Sequence, residues 1–390
     1  MTQAATGTRM IVIAAIVQNV TTGLLFGSFG TMLYALEDRF GADRGQSSLT
    51  LSLAVVSLSL VAAWLGTRIG RQALRPLMLA GSMLSAAGFA ALTQVSTTWQ
   101  LWAVYLLLLG PGAGLAGVLA TNALASAWAP DGLRGRALGW VNAPLLVTIA
   151  PLAAVFVLQR FGLDTLFACL AVCHLAMLPL IALIREPQWT QGQAANDDRR
   201  GKSAGGVWLL LGLVFVIGVI SGGGLLKMSH LIPLVTAQGH SFEQANMLLA
   251  VSGGAGIAGS LVFGWLCDRI GPGVSLAINA ILQACMWFIL LVPVHYALLV
   301  FDAVVVGICG GGLQTVVATL LVRIYGEAAF GRIFGLLSLL TLPFLFGLPW
   351  VAGVLYVQSG GYLLPIALQI AGFVLAGVGA VLIARHEHIA

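Results

Sequence analysis

Charge is what this chain lacks most. Only 8% of its 390 residues are Asp, Glu, Lys or Arg, while 59% are hydrophobic. Soluble domains carry about a quarter charged residues, so a water-exposed globule is excluded. Extended polar sequence is also scarce: the single long stretch is EPQWTQGQAANDDRRGKSAGG, residues 186 to 206, with the composition of a solvated linker. No ATP-binding motif occurs, which removes a primary pump within the chain, and no cofactor is expected. Cysteine is limited to Cys169, Cys173, Cys267, Cys285 and Cys309, all in or at the ends of apolar runs, where they read as small packing residues. Cys169 and Cys173 lie at i and i+4, but no acidic or further thiol partner is near in sequence, so no metal site is expected.

What fills the chain is a series of apolar runs, each able to cross a bilayer at about 20 residues. Twelve spans are expected, near 10–36, 46–66, 76–96, 99–128, 135–159, 161–184, 207–236, 243–266, 273–293, 297–322, 329–357 and 361–384. The first is too long for a cleaved signal peptide and lacks a small-residue cleavage pattern. The fold class is therefore an all-α polytopic membrane protein.

Lysine and arginine are distributed unevenly over the two sets of span ends. Fourteen fall on one side, and only Arg39, Arg44 and Arg160 on the other. The positive-inside rule then places both termini in the cytoplasm, as for a multi-pass plasma-membrane protein of the bacterial inner-membrane type. The net charge of +5 is an orientation signal, with no basic stripe of interleaved aromatics to suggest nucleic acid.

The linker divides the spans six and six, giving an N-terminal half at 1–184, a linker at 185–206 and a C-terminal half at 207–390. The halves repeat. Trp64-Leu65-Gly66-Thr67-Arg68-Ile69-Gly70 matches Trp265-Leu266-Cys267-Asp268-Arg269-Ile270-Gly271 at an offset of 201 residues. Gly135-Arg136-Ala137-Leu138-Gly139 matches Gly331-Arg332-Ile333-Phe334-Gly335 at an offset of 196. Self-similarity in register over half the chain marks a duplicated six-helix unit.

These motifs resemble the major facilitator superfamily, whose signature G-x-x-x-D-R-x-G between helices two and three stands here as Gly264 to Gly271, with Asp268 and Arg269 at its polar positions. The first-half copy carries Ala63 and Thr67 at the Gly and Asp positions but keeps Arg68, Gly70, Arg71 and Arg75. The resemblance implies two pseudo-symmetric halves, alternating access around a midplane site, and cytoplasmic gating by Asp268, Arg269, Arg68 and Arg71. Within the superfamily, His230 to Gly271, Arg323 to Leu337 and residues 26 to 53 look like the bacterial relatives of monocarboxylate transporters and the neighbouring oxalate/formate antiporters. That branch carries small carboxylates, often with a proton. Its helix-eight Arg is replaced here by Gly259-Ser260, and its helix-eleven Lys has no counterpart.

Against this background, SGGGLLKMSHLIP, residues 221 to 233, puts a lysine deep in a span. Lys227 is the only cation and Asp302 the only acid so placed. A charge near the bilayer centre costs at least ~2.5–3.5 kcal/mol, so each needs a partner or a watery cavity. His230 lies one turn from Lys227, and in the fold the resemblance implies, helices one, four, seven and ten line the cavity and bring Lys227, Asp302 and His230 towards each other. In that reading Lys227 anchors the anion while Asp302 and His230 carry the proton. The alternative is a static Lys–Asp pair, with His230 capping its helix before Pro233. Gly222, Gly223 and Gly224 supply a hinge, or else close helix packing. Gly110-Pro111-Gly112-Ala113-Gly114 and Gly310-Gly311-Gly312 occupy equivalent places in the two halves, as interruptions that line transport sites often do. Gln18, Asn19, Gln314 and Ser260 are candidate substrate contacts, with Asn122 and Asn142 behind them; each could equally be an interhelical hydrogen bond.

The function this supports is a proton-coupled symporter of a small organic anion, a monocarboxylate or aromatic acid, acting as a monomer in the lipid bilayer. The alternative is an efflux carrier for a neutral or hydrophobic compound. An intramembrane hydrolase on Ser229, His230 and Asp302 is disfavoured, because adjacent helical residues point about 100° apart.

Overall fold

The computed structural model describes the backbone of residues 3–41, 44–69, 72–130, 132–186 and 206–387. Among them, twelve helices are long and apolar enough to cross a membrane: α1 (Ala5–Leu33), α2 (Leu49–Gly66), α3 (Leu74–Leu92), α4 (Thr98–Trp128), α5 (Arg134–Phe161), α6 (Leu163–Ala182), α7 (Val207–Ala237), α8 (Phe242–Ile270), α9 (Pro272–Ile289), α10 (Tyr296–Glu327), α11 (Ala329–Ser359) and α12 (Leu363–Arg385). They follow the twelve expected spans in order, with ends shifted by a few residues. Helices dominate because every backbone N–H and C=O inside a bilayer must be satisfied within its own segment.

Local chemistry sets the ends. At the start of α8 the Ser241 hydroxyl accepts the Gln244 N–H at 3.2 Å, and the Gln244 side chain accepts the Ser241 N–H at 3.0 Å. This reciprocal capping box satisfies two of the otherwise orphaned first-turn donors. The same helix stops at Gly271, whose φ of 91° suits glycine, and Pro272 immediately opens α9, where its missing N–H costs nothing. Ala73 precedes α3 and has no side chain to cap it. Glu186 does this from the far end of the six-helix run, accepting the N–H groups of Leu74 at 2.9 Å and Arg75 at 2.7 Å.

The chain packs as two compact units, one of residues 1–131, 144–197 and 327–339, the other of 132–143, 198–326 and 340–390. The first unit buries Leu36, Phe89, Leu92, Tyr105 and Phe167 in one cluster. Arg39, at the end of the helix that begins as α1, donates to Asp164 in the first turn of α6 and to the carbonyls of Thr93 and Val95 after α3, both at 3.3 Å. One side chain thus ties three helix ends together. His174, buried against the Phe89 ring, bonds the Leu170 carbonyl of its own helix.

In the second unit, glycine sets the helix separation. A Cβ on Gly259 would collide with the Ile308 carbonyl of α10, one on Gly307 with the Ser252 carbonyl of α8, and one on Gly311 with Gly256. These backbones touch because at each contact at least one helix presents a glycine, and at Gly311 and Gly256 both do. The Gly310-Gly311-Gly312 stretch stays helical, so the expected interruption is not seen in α10; Gly311 and Gly312 serve close packing against Gly256 and Phe263. In α4, by contrast, a π turn over Tyr105–Leu109 precedes the glycine run, and the helix bends at Gly117, where ψ reaches −144°. The break expected in α7 is likewise absent. The helix runs continuously through residues 222–224, where a Cβ on Gly222 would lie 2.5 Å from the Phe344 carbonyl and one on Gly223 would strike Gln369.

Gly259→Ala is expected to lower the melting temperature of the purified protein by overpacking worth about 1–3 kcal/mol. Gly224→Ala, where a Cβ meets nothing within 4 Å, should leave it unchanged or raised. Thermal melts in detergent compare the two.

Candidate functional site

Among the described residues, Lys227 and Asp302 are the only charged side chains that are buried, at 6% and 1% exposure. Both are at points where their helices are otherwise apolar, so the ions have only each other and the surrounding side chains to replace water. The Lys227 Nζ donates to both Asp302 carboxylate oxygens at 2.6 Å. A charge-assisted contact to both oxygens is the strong form of this interaction. The ammonium also stands 5.7 Å from the centroid of the Trp287 ring on α9, within the roughly 6 Å reach of a cation–π contact. Trp287 in turn packs against Phe373 of α12, with ring centroids 5.9 Å apart. The ion pair is therefore closed in by α7, α9, α10 and α12.

His230, one turn beyond, is not part of this cluster. Its Nε2 lies 3.2 Å from the Pro349 carbonyl and its Nδ1 lies 3.3 Å from the Tyr362 hydroxyl. The carbonyl can only accept, so Nε2 carries the proton and the Tyr362 hydroxyl donates to Nδ1. His230 thus fastens α7 to α11 and to the start of α12. The helix continues to Ala237, so His230 does not cap it. Ser229 donates to the Leu225 carbonyl at 2.9 Å and does not engage His230, as the angular argument required.

The remaining polar candidates fall into two groups. Gln18 and Asn19, in the first unit, are held by protein. The Thr121 hydroxyl of α4 donates to Gln18 Oε1 at 2.5 Å. Asn19 opens a π turn, Asn19–Gly23; its Nδ2 donates to the Ala15 carbonyl at 3.0 Å and its Oδ1 accepts the Leu146 N–H at 3.0 Å. Leu146 lies in the first turn of the helix restarting after Pro144, so Asn19 supplies from α1 the cap that proline cannot give to α5. Asn142 bonds back to the Leu138 carbonyl. Ser260 bonds the Ile257 carbonyl, and its own carbonyl lies against Gly139. Gln314 differs: it is exposed on α10 and makes no hydrogen bond among the described residues.

Asp268 holds the signature in the second unit. Its oxygens accept the backbone N–H groups of Gly135 at 2.6 Å and Arg136 at 3.0 Å, capping the helical segment Arg134–Val141 where a negative charge meets the positive helix end. In the first unit Gly66 packs on Gly331 and Arg332, but Thr67 bonds back to the Trp64 carbonyl at 2.7 Å. Thr67 thus supplies no carboxylate at the position that Asp268 holds in the second unit. Arg68 and Arg269 lie over Trp64 and Trp265 at 4.7 and 5.5 Å, the same i, i+4 contact in both repeats. Arg71 lies outside the described residues.

Asn279, Gln283 and Trp287 on α9 and Gln369 on α12, all buried, are among the side chains that escaped the sequence reading. Asn279 donates to the Cys309 carbonyl of α10 at 2.7 Å, Gln283 donates to Asn279 at 2.8 Å, and Trp287 continues the same face. Gln369 donates to the Val219 carbonyl of α7 at 3.3 Å. The signal available was the i, i+4, i+8 spacing of Asn279, Gln283 and Trp287 in an apolar span.

Because removing one member strands a buried charge, Lys227→Met or Asp302→Leu alone should destabilise the protein by about 3–5 kcal/mol, whereas the double variant should recover most of it. A thermal double-mutant cycle in detergent gives the coupling; additive losses would show that the pair is not closed.

The comparisons with known proteins agree with this architecture. The family description Major Facilitator Superfamily matches residues 15–295 and 232–388. The chain is 26% identical over 381 residues to the uncharacterized MFS-type transporter YcxA of Bacillus subtilis (strain 168), covering 91% of this chain and 89% of that protein. Among solved structures it is similar to the major facilitator transporter FucP in the outward conformation, with a TM-score of 0.73, 14% identity and coverage of 98% and 99%. It is also similar to the proton:xylose symporter XylE bound to 6-bromo-6-deoxy-D-glucose, with a TM-score of 0.74, 14% identity and coverage of 97% and 95%. At such identities the structural likeness speaks for the fold alone. The family match spans nearly the whole chain, its twelve helices and its duplicated signature: this multi-pass membrane protein belongs to the Major Facilitator Superfamily and is a secondary transporter.

Proposed function

We propose that the chain carries a small organic anion, a monocarboxylate or aromatic acid of the kind handled by the monocarboxylate and oxalate/formate branch, together with a proton. The observation that supports this is the buried Lys227–Asp302 pair, which has no counterpart among the other described side chains. As drawn, the pair is neutral and has no net attraction for an anion. When Asp302 takes up a proton, the ammonium loses its counter-charge in surroundings that penalise a lone ion, and a solute carboxylate restores neutrality. Proton and anion then move as a neutral load, without a charge left inside the apolar bundle. Gln314, with its amide open, is the polar group on α10 best placed to add a hydrogen bond to the solute. Asp268 and Arg269 act in gating, with Arg68 and Arg71 as the first-half counterpart, in a monomer of the plasma membrane with both termini cytoplasmic.

A second reading has one observation in its favour. The contact of Lys227 to both Asp302 oxygens neutralises the charge completely, which also suits a carrier of a neutral solute that uses the pair only to join α7 and α10.

Proteoliposomes separate the two. With an inward proton gradient, uptake of labelled acetate, lactate or benzoate should exceed a neutral control by tenfold or more. Lys227→Ala should abolish it, and Asp302→Asn should remove the gradient dependence while sparing counterflow. Equal uptake of a neutral dye, unaffected by either substitution, would establish the second reading.

A further inference from the structure

Trp287 is an unusual choice for its position. At 1% exposure it is the largest fully buried side chain among the described residues, yet its indole Nε1 has no hydrogen-bond partner among them. Buried tryptophans ordinarily use that N–H, and leaving it dry costs about 1–3 kcal/mol that Phe or Leu would not incur. Packing alone therefore does not explain an indole here. What the indole has in place of a bond is the Lys227 ammonium over its ring. An ammonium has three N–H groups; two point at the Asp302 oxygens, and the ring is the remaining electron-rich surface within reach.

From this geometry we infer that Trp287 is a positioning residue that keeps Lys227 charged and in place when Asp302 is protonated. The inference rests on the proton role proposed above for Asp302. While Asp302 is ionised it dominates the ammonium's surroundings, and the ring adds little. Once the carboxylate is neutral, the π face is the main stabilisation left, and a desolvated cation–π contact is strongest where no anion competes. The ring therefore favours the proton-loaded state, and it ties that state to α12 through Phe373, which reaches α7 again at Gly223. Among the described residues no other Asp, Glu, Lys or Arg side chain is buried beside the pair. Cys309, the titratable group on α10 facing the ammonium, is a buried thiol. His230 on α7 is bonded to Tyr362 and Pro349. The α9 helix carries no charged residue, and those of α8 and α12 lie in their terminal turns.

The test reads the proton on Asp302 directly and needs no substrate. Infrared difference spectra of the purified full-length protein in nanodiscs, titrated with acid, should show a protonated carboxyl stretch that is absent in Asp302→Asn. In Trp287→Leu the midpoint of that band should move to lower pH by about one unit, the equivalent of a cation–π contact of ordinary strength. Trp287→Phe, which retains a π face, should restore at least half of the shift. Thermal melts of both variants confirm folding, and a Trp287→Leu protein that does not fold leaves the Trp287→Phe comparison decisive, with an expected smaller shift in the same direction. A band whose midpoint is the same in wild type and both variants overturns the role of Trp287 while leaving the proton site of Asp302 intact. A wild-type protein that shows no such band at any pH overturns the proton role and the inference together.

Discussion

The constraint that organises this molecule is the apolar surroundings of its twelve membrane-spanning helices. A polar group there must find its partner within the chain, since an unmatched one costs several kcal/mol. The backbone meets that demand by becoming helix. The side chains meet it one contact at a time, and Lys227 with Asp302 is the extreme case. Each ion is tolerable only because the other is 2.6 Å away. This local neutrality also makes the pair a candidate switch, because one proton converts a matched pair into a lone charge.

The same demand explains features that have no direct part in transport. At three helix starts that lack a cap of their own, a distant side chain completes the turn. Asn19 in α1 serves the restarted α5, Glu186 serves α3, and Asp268 serves the segment before Val141. These bonds link segments far apart in sequence. They also make helix ends sensitive to the position of neighbouring helices, a property suited to a carrier whose helices must move. Glycine acts on the complementary problem. At Gly259, Gly307 and Gly311 it lets α8 and α10 approach until backbone meets backbone, and that contact needs no polar groups.

Duplication did not preserve all of this chemistry. Both repeats keep the Trp–Arg contact one turn before their loop, at Trp64 with Arg68 and Trp265 with Arg269. Only the second retains a carboxylate at the signature position, Asp268, where the first has Thr67. Thr67 can bond its own turn but cannot offer a charge to the segment at Gly331. The ion pair, too, lies in the second unit alone, so the two units have diverged in polar content while keeping the same helical frame.

Much of this was written in the sequence. The number and order of the helices follow from run length and composition, the duplication from two short repeats, and the rarity of Lys227 and Asp302 from counting charges in apolar spans. These are properties of single segments, which is why one sequence suffices for them. The partner of each side chain is a different kind of fact. Gln18 and Asn19 read equally as ligand contacts or interhelical hydrogen bonds, and the fold places Thr121 and the Leu146 N–H beside them. The glycines at 222–224 read as a hinge or as close packing, and the fold sets Phe344 against Gly222 and Gln369 against Gly223. His230 and Lys227 share a helix and lie three residues apart, yet they bond to different neighbours. Periodicity fixes the direction in which a side chain leaves its own helix, but what it meets is decided by the packing of helices distant in sequence, and here that packing put Trp287 of α9 at the ion pair.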